Sequence, residues 1–368
     1  MEKETSALED LELIKKVSPT FWKDKRVFLT GHTGFKGSWC SLWLQEMDSI
    51  VKGYALKPKS NPNLFHHANV GEKMISEIGD IREFDKISKS IIEFEPNIII
   101  HMAAQPLVRY SYKNPIETFE TNVIGTVNVL EAARRCHKLE AIIIVTSDKC
   151  YENFETDYSY NENDKIGGHD PYSSSKGCAE LVTSAYRKSF FSESNSPKVA
   201  SVRAGNVIGG GDWSDDRLIP DILRAFENNK PVVIRNPLAV RPWQHVLEPI
   251  SGYLVLAQRL SSKNGNHYAD AWNFGPNQAD CMSVKSVLEL ISVKWGNGAN
   301  WTLDDNIQPH EANLLSLDCS KAINKLNWSP NWSLDYTLDL IVDWHKSYLN
   351  KEDLKKVCLE QIKLFTKN

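Results

Sequence analysis

Tyr172-Ser173-Ser174-Ser175-Lys176 sets a phenol and an ammonium four residues apart. On a helix they share one face. A phenol with an ordinary pKa of about 10 is a poor base at neutral pH, and a nearby ammonium favours its ionised form. The pair suits removal of a proton from an alcohol or sugar hydroxyl during hydride transfer. Read without function, it is a surface tyrosine and a solvated lysine. A second group is Thr146-Ser147-Asp148-Lys149, directly after the apolar run Ile142–Val145. Ser147 can donate to a ligand oxygen, and Asp148 and Lys149 add two ionisable groups; the bland reading is a solvated loop. A third is Gly31-His32-Thr33-Gly34-Phe35-Lys36-Gly37, after Val27-Phe28-Leu29-Thr30. Glycines there let backbone come close to a pyrophosphate, and the N–H groups of a following helix point at the anion. The spacing is Gly-x-x-Gly-x-x-Gly rather than Gly-x-Gly-x-x-Gly.

These groups need elements to hold them. Arg26–Thr30, Ile50–Leu56, Met74–Glu77, Asn97–His101 and Ala141–Thr146 read as strands, with Val199–Arg203 and Ala271–Asn273 after them. Helical patterns lie between, over Gly37–Met47, Phe84–Glu95 and Pro115–Cys136. Strand–helix alternation predicts βαβ units and a parallel sheet. The continuous runs Ile98–Ile100 and Ile142–Val145 suit strands covered on both faces. Ligands of open α/β sheets bind beyond the carboxyl ends of the strands, where Ser147, Asp148 and Lys149 fall. Past Asn206 the texture changes to a Gly209-Gly210-Gly211 loop and frequent tryptophans, which predicts a second, less regular region with most of its aromatics in a core. The expected division is an N-terminal extension over 1–20, a nucleotide domain over 21–205 that regains the chain near 243–275, and a ligand domain from 206–242 and 276–368.

Composition narrows the classes. Of 368 residues, 41% are hydrophobic and 24% charged, an ordinary globular balance. With 43 Lys and Arg against 47 Asp and Glu, the net charge of −4 leaves no basic excess for nucleic acid. No apolar run approaches a bilayer span, and the charged start Met1-Glu2-Lys3-Glu4 lacks a secretory apolar core, so no membrane insertion and a cytoplasmic location are expected. The seven cysteines form no Cys-x-x-Cys pair and read as reduced thiols; no metal site is expected, and His66-His67 reads as surface.

In their order and spacing, the three groups resemble the extended short-chain dehydrogenase/reductase superfamily, over about Phe21 to Tyr348. Supporting motifs are Gly79-Asp80-Ile81, His101-Met102-Ala103-Ala104-Gln105 and Asn122 in Thr121-Asn122-Val123-Ile124-Gly125-Thr126. The resemblance implies a Rossmann-type doubly wound parallel sheet with a smaller, mixed α/β C-terminal substrate domain. It implies that Gly31, Thr33, Gly34, Phe35, Lys36, Gly37, Asp80, Ile81, Ala103, Ala104, Gln105, Asn122 and Thr146 hold a dinucleotide, with Tyr172 and Lys176 beside it. The β-strand near Ile50–Leu56 does not end in an acid for a ribose hydroxyl; Lys57 and Lys59 follow and could accommodate a 2′-phosphate. NAD is still the expected cofactor, because the implied reaction returns its hydride within one site.

Within the superfamily the chain looks like a nucleotide-sugar 4,6-dehydratase, since an ionisable pair follows the serine where epimerases lack one. Enzymes of that kind acting on dTDP-glucose carry Thr-Asp-Glu; Ser147-Asp148-Lys149, with Gln105-Pro106-Leu107-Val108-Arg109 and Arg241-Pro242-Trp243-Gln244-His245, is similar to the branch acting on CDP-glucose. That resemblance implies that Arg109, Asn206, Leu218, Ile219, Arg241 and His310 hold the substrate, and physically Arg241 is a suitable diphosphate fork or else a structural ion pair. It implies Tyr172 as base at C4–OH, Asp148 as acid at the C6 hydroxyl, and Lys149 either as base at C5 or as a cation stabilising the enolate. It also implies a homodimer or tetramer and a role in deoxysugar supply for bacterial surface polysaccharide. A 4-epimerase would share the C4 oxidation without needing Asp148 and Lys149, and a dinucleotide-sensing regulator would need neither these nor Tyr172 and Lys176.

Overall fold

The computed structural model describes residues 16–296, 300–304 and 314–367. Seven parallel strands form the central sheet: β1 (Arg26–Thr30), β2 (Ile50–Ala55), β3 (Ile75–Ile78), β4 (Ile98–His101), β5 (Ala141–Val145), β6 (Lys198–Ala204) and β7 (Ala271–Phe274), in the order β7-β6-β5-β4-β1-β2-β3. The order reverses between β1 and β4, which opens a crevice at their carboxyl ends. All seven strands stand where the residue pattern places them, with no end moved by more than one residue.

The apolar runs explain the layering. In β4, Ile98 and Ile100 pack into one core and Ile99 into the other; in β5, Ala141, Ile143 and Val145 face the first, and Ile142 and Ile144 the second. Both faces are therefore covered, as a fully buried parallel sheet requires. On the first face lie α1 (Phe35–Glu46) and, far along the chain, α5 (Leu247–Leu260). On the second lie α2 (Phe84–Phe94), α3 (Gly125–Ala133) and α4 (Pro171–Phe190). α1 is buried almost all round because the C-terminal helix Leu354–Lys367 caps it, with Trp43 edge-on to Phe365 at 5.6 Å. β7 completes the sheet at one edge, next to β6.

A third core gathers Leu218–Glu227, Val232–Ile234, Val284–Trp295 and Leu334–Leu349 around Trp243, Ile291 and Leu338. There Val240–His245 pairs parallel with Asn206–Ile208 and antiparallel with Cys281–Ser283. Most of the tryptophans past Asn206 are buried, as expected, but Trp213 and Trp243 also face the crevice.

The expected helix over Pro115–Cys136 runs with helical backbone from Pro115 to Ala133, but it carries a bulge. A turn of i→i+5 bonding over Glu120–Ile124, closed by Gly125 N–H on Glu120 O, separates Pro115–Phe119 from α3. The extra residue re-aims Asn122, whose Oδ1 accepts from Gln105 N–H (2.8 Å) and whose Nδ2 donates to Gln105 O (3.0 Å) and Ser175 Oγ (2.8 Å). Bulges of this kind recur at functional sites. Residues 1–15 of the expected N-terminal extension lie outside the described residues.

Candidate active site

α1 begins at Phe35 with Gly34 as its N-cap, which has no side-chain acceptor to offer. The first N–H groups of the helix therefore face the crevice together with the positive end of its dipole. The glycines are needed for different reasons. Gly31 has φ +80°, and a Cβ there would stand 2.8 Å from Ala103 N; at Gly37 a Cβ would sit 2.1 Å from Gly31 O. At Gly34 the nearest atom to such a Cβ is Gly31 O at 3.4 Å, so that position is open on its outer side. Thr33 Oγ1 donates to Leu56 O (2.8 Å), tying the loop to the end of β2, while Met102 and Ala103 donate to Thr30 Oγ1 at 3.1 Å each. The result is a cradle of backbone donors that fits a pyrophosphate.

Asp170 caps α4: its Oδ1 accepts from Ser173 N–H (2.9 Å), and Pro171 takes the first helical position. Tyr172 and Lys176 follow one turn apart, both buried, with Lys176 Nζ donating to Val145 O at 3.2 Å. Ser147 ends the stretch after β5; its Oγ donates to Asp148 Oδ1 (2.9 Å) and accepts from Lys149 N–H (3.2 Å). Asp148 is 2% exposed, and its Oδ2 is buried without a partner among the described residues. A buried, unsatisfied carboxylate oxygen is costly unless something comes to meet it.

The glycine loop, Ser147 to Lys149, Tyr172 and Lys176 line one cavity of about 720 Å³, at the carboxyl ends of the strands. Its wall holds Gly31, Thr33, Gly34, Phe35, Lys36 and Gly37; Asp80 and Ile81; Ala103, Ala104 and Gln105; Thr146 to Lys149; and Tyr172 and Lys176. Arg109 joins this side from the helix after β4, and from the other side come Asn206, Leu218, Ile219 and Arg241. Two expected residues stand apart. Asn122 does not reach the wall: it is buried, and its amide is occupied by Gln105 and Ser175, so it positions the Ala103–Gln105 segment instead. His310 lies outside the described residues.

The electrostatics differ from the expectation in one respect. Burial pushes the Tyr172 phenol up to about 12; the hydrogen bond with Ser147, rather than the Lys176 ammonium, is the largest influence pulling it down, and Asp148 raises it further. Burial holds Lys176 down at about 8, against the pull of Glu180. Lys36, at the second position after Gly34, is held at about 7 by burial and by the cations Arg217 and Lys176, with Asp148 acting in opposition. Asp80, expected at an adenine, is drawn below the usual carboxylate range by Arg82, whose Nε donates to Oδ2 at 2.9 Å and Nη2 at 2.6 Å. Lys59 stands over the Tyr110 ring at 5.3 Å. Sequence reasoning missed Asp212, Asp216, Arg217 and Arg235 on the wall; a charged stretch after the Gly209–Gly211 loop was the available signal. Among the described residues, no cluster of three His, Cys, Asp or Glu side chains could hold a metal, and no helix is long and apolar enough to cross a membrane.

Residues 28–340 match the sequence profile of a family described as GDP-mannose 4,6 dehydratase. The CDP-glucose 4,6-dehydratase of Salmonella typhimurium is 56% identical over 342 residues, covering 92% of this chain and 95% of the relative. The CDP-paratose 2-epimerase of Salmonella typhi is 27% identical, over 88% and 99%. Among solved structures, dTDP-glucose 4,6-dehydratase from Bacillus anthracis in complex with NAD superposes with a TM-score of 0.73 at 20% identity, covering 90% and 99% of the two chains. UDP-glucuronic acid 4-epimerase from Bacillus cereus, with UDP-glucuronic acid and NAD, gives 0.75 at 22% identity, over 88% and 99%.

Proposed function

The chain belongs to the GDP-mannose 4,6-dehydratase family, and from that premise we propose that it converts CDP-glucose to CDP-4-dehydro-6-deoxyglucose by loss of water, a hydro-lyase reaction that uses NAD. One observation carries the reading: Asp148, buried beside Ser147 in the cavity that holds Tyr172 and Lys176, has a carboxylate oxygen with no partner among the described residues. A 4-epimerase has no use for an acid there; an enzyme that must expel a hydroxyl has. The 56% identity to a CDP-glucose 4,6-dehydratase supports cytidine as the base.

The Gly31–Gly37 cradle, Ala103 and Ala104 suit the dinucleotide, which when bound takes a hydride from C4 and returns it to C6. Tyr172 Oη holds the proton of the C4 hydroxyl, with Ser147 aligning the same oxygen. The resulting ketone acidifies C5–H. Asp148 delivers a proton to the C6 hydroxyl as water leaves. Lys149 acts at C5 as base or as the cation facing the enolate, and a proton returns to C5 when C6 is reduced. Arg109, Asn206, Leu218, Ile219 and Arg241 form the wall for the sugar nucleotide, and the second region, 206–242 with 276–368, is its domain. Exposed Ile116, Ile124 and Leu181 on the helical face around α3 and α4 support a homodimer or a tetramer of such dimers. The product class fits deoxysugar supply for surface polysaccharide by a cytoplasmic enzyme.

Incubation with CDP-, dTDP-, UDP- and GDP-glucose, followed by mass spectrometry, tests the reading. Loss of water from CDP-glucose, with product absorbing in alkali as 4-keto sugars do, is expected. An epimerised product of unchanged mass would overturn it.

A further inference from the structure

Asp216 lies on the cavity wall in a left-handed backbone conformation, φ +58°. Its Oδ1 accepts from Arg109 Nη1 at 2.9 Å and from Arg235 Nη1 at 3.2 Å. The two guanidiniums come from opposite walls: Arg109 from the short helix Val108–Lys113 after β4, Arg235 from the residue after Val232–Ile234. One carboxylate oxygen thus bridges the crevice between two side chains suited to forked recognition of an anion.

We propose that Asp216 is a displaceable counter-ion, which holds Arg109 and Arg235 in place as a fork for the diphosphate of the sugar nucleotide and gives way when that diphosphate binds. The proposal rests on the reading above for the ligand class alone. Three features support it. The ion pairs are partly exposed, with side chains 37% and 40% accessible in one and 26% and 40% in the other, so each is weak. A diphosphate offers several charged oxygens to the same donors and bonds them more strongly. The loop also does not depend on Asp216 for its shape. Asp212 Oδ1 accepts from Ser214 N–H (3.0 Å) and Ser214 Oγ (2.7 Å), and Asp212 Oδ2 pairs with Arg217 at 2.9 Å, so the carboxylate can leave the arginines while the loop stays folded.

Titration calorimetry on the full chain, with NAD saturating the dinucleotide site, tests this with CDP, UDP, inorganic pyrophosphate and cytidine. Asp216→Asn keeps a residue that tolerates the left-handed conformation. It should bind CDP and pyrophosphate about threefold to tenfold tighter than the parent, because the Asp216 carboxylate no longer competes. Arg235→Met should weaken both by about tenfold or more, leave cytidine unchanged, and shrink the gain from Asp216→Asn when the two are combined. Unchanged or weaker pyrophosphate binding by Asp216→Asn, at an unaltered melting temperature, overturns the proposal and makes Asp216 a brace. Loss of cytidine rather than pyrophosphate affinity in Arg235→Met overturns it too, by assigning Arg235 to the base. Preference for UDP over CDP would sink the cytidine reading while leaving the clasp standing, since its signal is the ratio between variants for the diphosphate.

Discussion

Tyr172 is pushed up to about 12 by burial, so at neutral pH its phenol keeps its proton, and the hydrogen bond with Ser147 is the main influence working against that. Turnover should therefore rise with pH above neutrality. Ser147→Ala should move that rise to higher pH and lower kcat at pH 7, because the phenol then loses its chief stabiliser as an anion; a profile left in place would remove Ser147 from the proton path. Tyr172→Phe should lower turnover by about 10²- to 10⁴-fold while dinucleotide binding, measured by fluorescence titration, is retained. Asp148→Asn should allow oxidation at C4 and block dehydration, seen as absorbance near 340 nm that builds up on mixing with substrate; normal water loss by this variant would take Asp148 out of the acid role.

At the scale of elements, the glycine loop separates two jobs that one motif performs. Gly37 is where the first turn of α1 passes against Gly31, with a Cβ coming to 2.1 Å from a backbone oxygen; Gly34 has only ordinary backbone nearby, at 3.4 Å. Gly37→Ala should thus lower the melting temperature, at a cost of about 1–3 kcal/mol for overpacking. Gly34→Ala should leave the melting temperature close to that of the parent but weaken the dinucleotide, whose pyrophosphate needs the open side. Equal effects of the two substitutions would contradict this division.

Across the whole molecule, four buried histidines among the described residues, His32, His101, His245 and His345, set the response to acid, each depressed by burial. Burial lowers His32 to about 4 and His101 and His245 to about 3, against an ordinary value of about 6.5. Their folded values are depressed, so the unfolded chain binds these protons first. The stability they contribute is whole above about pH 6.5 and is lost as pH falls toward 3–4. Glu248 acts in the other direction: burial raises it to about 7, so its contribution is whole below the ordinary carboxylate range and is lost as pH rises toward 7. Burial raises Glu162 and Asp221 in the same sense as Glu248, so four histidines stand against three carboxyls. The melting temperature should fall from pH 7 to pH 5, and unfolding at pH 5 should take up protons in calorimetry with buffers of different ionisation enthalpy. Proton release there would contradict the balance.

The strand pattern, the Gly31–Gly37 loop and the placement of Ser147, Asp148 and Lys149 beyond β5 were legible from the residues, because they rest on local rules: period, glycine conformation and chain order. The Tyr172–Lys176 face was legible as well, since i and i+4 meet on any helix. What needed the fold was everything set by distant neighbours. Asn122 looked like a cofactor ligand, but the extra residue in its helical turn aims it at Gln105 and Ser175. The pairing of Asp216 with Arg109 and with Arg235 joins positions 107 and 19 residues apart, and no spacing announces it. Lys176 was expected to govern the Tyr172 phenol, yet burial does. Sequence supplies which groups can ionise, but desolvation depends on how much chain closes over them, and that is decided only when both walls of the crevice are in place.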